Sequence, residues 1–78
     1  MAGNPFSSSL GSEVRARRTS FGLSQQDLAD LSGVSERFVR FVENGKPTIQ
    51  LEPLLAVLAT LGLELSVVQA ASPAAATP

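Results

Sequence analysis

Apolar residues recur along this chain at helical spacing until its last quarter, where they begin to alternate. Leu10, Val14 and Phe21 stand at i, i+4 and i+11. They predict a first helix from the serines at 7–9 to about Phe21, with Gly22 placed to end it in the left-handed conformation. Leu28, Ala29 and Leu31 predict the inner face of a second helix over about 25–31. Val39 and Val42, three apart, do the same for a third over about 36–43. Leu54, Leu55, Val57, Leu58 and Leu61 predict the broad apolar face of a fourth helix. It should start near Glu52 and Pro53, where proline is tolerated, and end at Gly62. The segment Leu63 to Val68, LELSVV, sets Leu63, Leu65 and Val67 on one side, which is strand patterning. Gly, Asn, Pro and Ser make residues 1–7 a flexible N-terminal arm, and the Ala/Pro-rich run QAASPAAATP makes 69–78 a disordered tail. One ordered domain, 8–68, is left between them.

The second and third predicted helices are bounded by matching signals. Ser24 can cap the second helix, and Asp27 three residues later completes a capping box. Gly33 falls at the turn, Val34 after it is expected to be buried, and Ser35 is a second N-cap. Ala29 is small where the two helices must approach closely. Capped helix, glycine-containing turn, capped helix is the helix-turn-helix arrangement, a device for reading DNA. The predicted class is therefore all-α, four to five short helices with one C-terminal β-strand.

That strand has no partner within the chain, and unpaired strands leave backbone groups unsatisfied. Pairing with the same strand of a second copy, in a C2 homodimer, resolves this and assigns dimerisation to Leu63, Leu65 and Val67. The chain's length points the same way. At 78 residues without cysteine it has no disulfide staple, and small domains often draw stability from a second copy. With no histidine, His-based catalysis and ordinary zinc sites are excluded, no phosphate-cradling glycine loop is present, and we expect no enzyme activity and no cofactor. No run approaches the roughly 18–20 apolar residues of a membrane span, and the start lacks the features of a signal peptide. A cytoplasmic, nucleoid-associated protein is expected.

Net charge is −1, but all six basic residues lie between positions 15 and 46. Ser35, Glu36, Arg37 and Arg40 cluster in the N-terminal half of the third helix, where a recognition helix meets base edges. Arginine can bond guanine O6 and N7 together, and glutamate can accept from cytosine N4. Phe38 and Phe41 are read first as packing residues and second as thymine-methyl contacts. Arg15 and Arg18 are open to two readings, a solvated surface or phosphate contact. So are Asn44 and Lys46 in the turn Asn44-Gly45-Lys46-Pro47, as a helix C-cap or a phosphate site. Asp27, Asp30, Glu36 and Glu43 are read as caps and solvated faces.

The run VRARRTSFGLSQQDLADLSGVSERFVRFVENGKPT resembles the phage-repressor-type (Xre/Cro) helix-turn-helix family. The motifs that carry the likeness are R-x-R-R, G-L-S-Q-x-x-L-A, G-V-S and E-N-G-K, over roughly residues 9–68. More narrowly, R-F-V-R-x-x-E-N-G-K-P-T, L-E-P-L-L-A-V-L-A-T-L-G-L and the closing strand are similar to HipB-type antitoxins. The resemblance implies a lambda-repressor-like fold, an autoregulating repressor of double-stranded DNA, and a HipA-like serine/threonine kinase toxin as partner. It implies that Gln25 touches phosphate or base, that Ser35, Glu36, Arg37 and Arg40 read bases, and that Arg18 and Lys46 meet the backbone. At Phe41 the family more commonly has a polar residue. A stand-alone repressor, or an interaction module that no longer binds DNA, would share the same fold.

Overall fold

The computed structural model describes residues 5–69 and forms four helices in chain order, α1 (Pro5–Ser20), α2 (Gln25–Ser32), α3 (Glu36–Glu43) and α4 (Leu51–Thr60). Residues 1–4 and 70–78, which hold most of the expected arm and tail, lie outside the described residues. Residues 5–7 of that arm are helical. Pro5, the first described residue of α1, suits a helix's first turn, since its φ is already set and it lacks an N–H that would go unbonded there. No helix among the described residues is long and apolar enough to cross a membrane.

The caps form as the sequence signals. The Ser24 hydroxyl accepts from the Asp27 N–H and the Asp27 carboxylate accepts from the Ser24 N–H, both at 2.9 Å. Gly33 closes α2 at φ 75°, letting its own N–H and that of Val34 reach the Ala29 carbonyl. The Ser35 hydroxyl then accepts from Phe38 N–H at 3.0 Å and starts α3. The α2 to α3 turn is thus set by local chemistry before any tertiary contact is counted.

Val14, Leu28, Ala29, Val39, Val42, Leu54, Val57, Leu58 and Leu61 make the buried core. α3 packs on α1 and α2, and α4 packs on α2. Four expected core positions turn out otherwise. Leu31 is 65% exposed, because Leu28, Ala29 and Ser32 define the inward row and Leu31 stands about 100° round the helix from its centre. Leu55 is exposed, so the inner face of α4 is narrower than its leucine content suggests. Phe21 lies just beyond α1, exposed, with the Arg17 guanidinium over its ring. Val34 is half-buried against the core rather than enclosed.

No strand forms among the described residues. Residues 63–69 carry no regular structure, because a strand requires a ladder of partner hydrogen bonds and a single chain supplies none here. Leu63 is half-buried on the core, while Leu65, Val67 and Val68 are exposed. The end of α4 is held by two polar links. Arg17 Nε donates to the Leu61 carbonyl at 2.8 Å, and the Ser32 hydroxyl donates to Thr60 Oγ1 at 3.0 Å.

Gly11 is where α1 crosses α3 most closely. A Cβ there would stand 2.5 Å from the Val42 carbonyl oxygen and 2.7 Å from that of Glu43. Alanine normally improves a helix interior by about 1 kcal/mol over glycine. At this position the sign reverses, and Gly11→Ala is expected to lower unfolding free energy in urea by about 1–3 kcal/mol. Ser12→Ala, one residue along on the exposed side, is expected to leave it within about 0.5 kcal/mol.

Candidate nucleic-acid interface

The second helix of the motif, α3, divides its residues cleanly. Val39 and Val42 are fully buried, whereas Ser35, Arg37, Arg40 and Phe41 are exposed and Glu36 is half-buried. Glu36 and Arg40, one turn apart, form an ion pair at 3.1 Å that partly pre-positions the arginine. Arg37 lies over the Phe41 ring, 5.1 Å from its centroid, and the Lys46 ammonium lies 5.7 Å from the same centroid. Phe38 is half-buried against the core, as its packing reading expected. Phe41 is 36% exposed and serves the cations instead.

Glu43 is the residue that the spacing argument missed. The sequence alone suggests a cap or a solvated face, yet the Glu43 side chain is completely buried. Arg18 donates through Nε to Oε2 at 2.6 Å and through Nη2 to Oε1 at 3.0 Å. Gln25 Nε2 and Arg15 Nε complete the set on Oε1, at 3.1 and 3.3 Å. One carboxylate therefore joins α1, α2 and α3. Burial pushes its carboxyl up, but the hydrogen bonds from Arg18, Gln25 and Arg15 and the Arg18 charge together hold it below the ordinary range. The Glu43 carboxylate, through its hydrogen bond and then its charge, pushes the Arg18 guanidinium upward in return, against the effect of burial. The signal was available, because Glu43 falls four residues after Val39 and so continues the buried row.

The other expected site residues are placed as follows. Gln25 opens α2 half-buried, its amide nitrogen committed to Glu43. Arg18, expected at the DNA backbone, has a side chain only 12% exposed, and a third bond runs from Nη1 to the Leu23 carbonyl at 2.8 Å. Asn44 sits at the C-cap of α3, where the N–H groups of Asn44, Gly45 and Lys46 are bonded to the carbonyls of Arg40, Val42 and Phe41. The C-cap reading of this turn holds for its backbone, and only its side chains remain for a phosphate. The structure thus gathers Ser35, Glu36, Arg37, Arg40 and Lys46 on or beside one exposed face, and draws Arg18 and Gln25 into the support beneath it.

A helix-turn-helix with this division of labour invites comparison with known proteins, and the Helix-turn-helix (HTH_3) family matches residues 14–68. The chain belongs to that Xre/Cro-type family. This helix-turn-helix protein is 41% identical over 58 residues to y4mF, an uncharacterized HTH-type transcriptional regulator of Sinorhizobium fredii, across 74% of this chain and 76% of that one. It is 43% identical over 56 residues to an uncharacterized HTH-type transcriptional regulator of Haemophilus influenzae. That match covers 72% of this chain and 57% of the relative, little more than half its length. Among solved structures it is similar to the restriction-modification controller protein C.AhdI of Aeromonas hydrophila. The TM-score is 0.70 and identity 34%, over 78% of this chain and 92% of that one. It is also similar to a toxin-antitoxin module from Streptococcus pneumoniae, with TM-score 0.71 and 38% identity over 83% and 72% of the two chains. Helix-turn-helix regulators of this family are not enzymes, and the non-catalytic expectation rests on that membership.

Removing one partner of a buried ion pair costs about 3–5 kcal/mol, because the other charge stays desolvated. Arg18→Ala is accordingly expected to lower stability by about 3 kcal/mol at pH 7. A carboxyl held below its ordinary value contributes fully above that value, and the contribution disappears as pH falls through the folded-state value. The gap between wild type and Arg18→Ala should therefore narrow below about pH 4.3, the ordinary glutamate value. Asp27, lowered by the Ser24 N–H and hydroxyl, is common to both proteins and cancels in the difference. Urea unfolding at a series of pH values measures the gap. A gap independent of pH would remove Glu43 from the explanation.

Proposed function

We propose that this helix-turn-helix protein is a sequence-specific transcriptional repressor that binds a palindromic operator as a C2 homodimer. The observation that carries the reading is that Arg37 and Arg40 of α3 and its N-cap Ser35 are exposed, with Glu36 half-buried beside them, on a helix that stands on a rigid polar support. Arg37 and Arg40 read base edges, Ser35 and Glu36 flank them, and Lys46 and Asn44 lie toward the backbone beyond the helix end. Arg18 and Gln25 act mainly by holding Glu43, and so set the angle at which α3 is presented. The exposed apolar side chains of Leu65, Val67 and Val68 support a second copy at the C-terminal segment, where strand pairing would cover them. Half-site centres should then lie about 10–10.5 bp, or a multiple of that, apart.

We further propose that the repressor is the antitoxin of a HipA-like serine/threonine kinase pair. The likeness to a toxin-antitoxin module and the motifs of the third helix and its turn support this. The likeness to a restriction-modification controller favours a second reading, a repressor with no toxin. A kinase encoded beside the gene that co-purifies with this chain decides for the antitoxin, and a gene with no kinase neighbour decides against it.

Binding to a duplex from immediately upstream of the gene, against a shuffled duplex, tests the repressor itself. Arg37→Ala and Arg40→Ala are each expected to cost about 1–3 kcal/mol on the operator and to loosen preference at one base position per half-site. An equal loss on shuffled DNA would count against base reading. An interaction module would give no salt-sensitive shift at all. Leu65→Lys with Val67→Lys is expected to give a monomer in analytical ultracentrifugation with its helices intact. A variant still dimeric would place the interface elsewhere.

A further inference from the structure

All six basic side chains of the protein lie among the described residues, and four have an oxygen partner there. Arg15 and Arg18 share Glu43, Arg40 holds Glu36, and Arg17 is tied to the Leu61 carbonyl. Arg37 and Lys46 have neither a carboxylate nor a carbonyl among the described residues. Both lie over one ring, that of Phe41. We propose that Phe41 is a positioning residue of the DNA interface, a platform that holds the Arg37 guanidinium and the Lys46 ammonium together as one uncompensated pair that engages the duplex as a unit. The inference rests on the repressor reading above and names the residue that organises its cationic face.

Two backbone features bring the cations to the ring. Arg37 stands one helical turn before Phe41, so its side chain lies on the same row. Lys46 comes from beyond the helix. Gly45 at φ 74° turns the chain back, and the Lys46 N–H bonds the Phe41 carbonyl at 3.1 Å, which anchors the residue beside the ring. The choice of an aromatic partner has a chemical consequence. A carboxylate would hold either cation equally well but would cancel its charge, and that bond would have to be broken at a phosphate or guanine. The ring quadrupole attracts both cations, offsets their mutual repulsion, restricts their rotamers and leaves the full positive charge outward. This accounts for a phenylalanine left part-exposed on an otherwise polar helix face.

The experiment combines binding with a readout that needs no DNA. In the free protein, the side-chain methylene protons of Arg37 and Lys46 should show upfield ring-current shifts that vanish in Phe41→Leu and persist in Phe41→Tyr. Phe41→Leu should bind the upstream duplex about tenfold more weakly, with Phe41→Tyr recovering most of the loss. In the Phe41→Leu background, Arg37→Ala and Lys46→Ala should each cost less than in wild type, the non-additivity expected of groups acting together. Urea midpoints of the two Phe41 variants should match, which keeps a folding defect apart from an interface defect. Absent ring-current shifts overturn the platform whatever the DNA does. Equal weakening by leucine and tyrosine, or fully additive losses, overturn it as well. Shifts present in a wild-type protein that gives no salt-sensitive binding overturn the repressor reading, and the interface role of Phe41 with it.

Discussion

A glutamate at the last position of a helix faces the negative end of the backbone dipole, and burying it there adds a desolvation cost of several kcal/mol. Glu43 does both. It is tolerated because Arg15, Arg18 and Gln25 satisfy it from two other helices, at distances between 2.6 and 3.3 Å. A well-packed apolar residue in its place would have held the fold as well or better. What the carboxylate supplies instead is direction. Apolar packing accepts small rotations of a short helix at little cost, whereas four hydrogen bonds to two oxygens do not. For a helix of eight residues proposed to present side chains to a groove, that difference would decide whether its arginines reach the right bases.

The same cluster explains why bulk charge says so little about this protein. Half of its basic residues, Arg15, Arg17 and Arg18, stand on α1 and bond to acceptors of the fold. The other half, Arg37, Arg40 and Lys46, lie along α3 and the turn after it, where Glu36 pairs with Arg40 alone. A net charge of −1 thus averages a set of arginines tied to acceptors of the fold with a set on α3 and its turn that points outward. Segregation of this kind is invisible to composition, because it depends on which face of α1 meets α3.

Signals that act within a few residues were legible. The capping box of Ser24 and Asp27, the left-handed Gly22, the turn at Gly33, the cap at Ser35 and the bounds of α3 all formed as the sequence indicated, since each depends on groups a few positions apart. Signals that depend on a neighbouring helix were not. Gly11 looks like a weakness in a helix until α3 is laid across it. Leu31 and Leu55 are apolar enough for a core but face outward, because helix rotation is chosen by the whole interface rather than by one leucine. Glu43 and Arg18 each invite a surface reading alone, and only their apposition makes them a buried pair. The alternation at 63–68 is real in the sequence, but a single chain offers nothing for it to pair with.

The size of the reading surface bears on how many copies the proposed repressor would need. One α3 brings a handful of side chains to a groove, and each good base contact discriminates by about 1–3 kcal/mol. Two such contacts separate right from wrong sites by at most a few kcal/mol. Specific regulators reach about 4–10 kcal/mol over non-specific DNA, against which a genome sets some 10⁶–10⁹ competing sites. The shortfall cannot be met by lengthening α3, which is stopped by Asn44 and Gly45 and anchored by Glu43. It can be met by a second copy, which doubles the contacts and makes the second docking step intramolecular. The exposed apolar segment at 65–68 and the exposed row of α3 are then two halves of one requirement. The proposed repressor, with so small a reading head, would need to dimerise, and the angle set by Glu43 would then have to be the same in both copies.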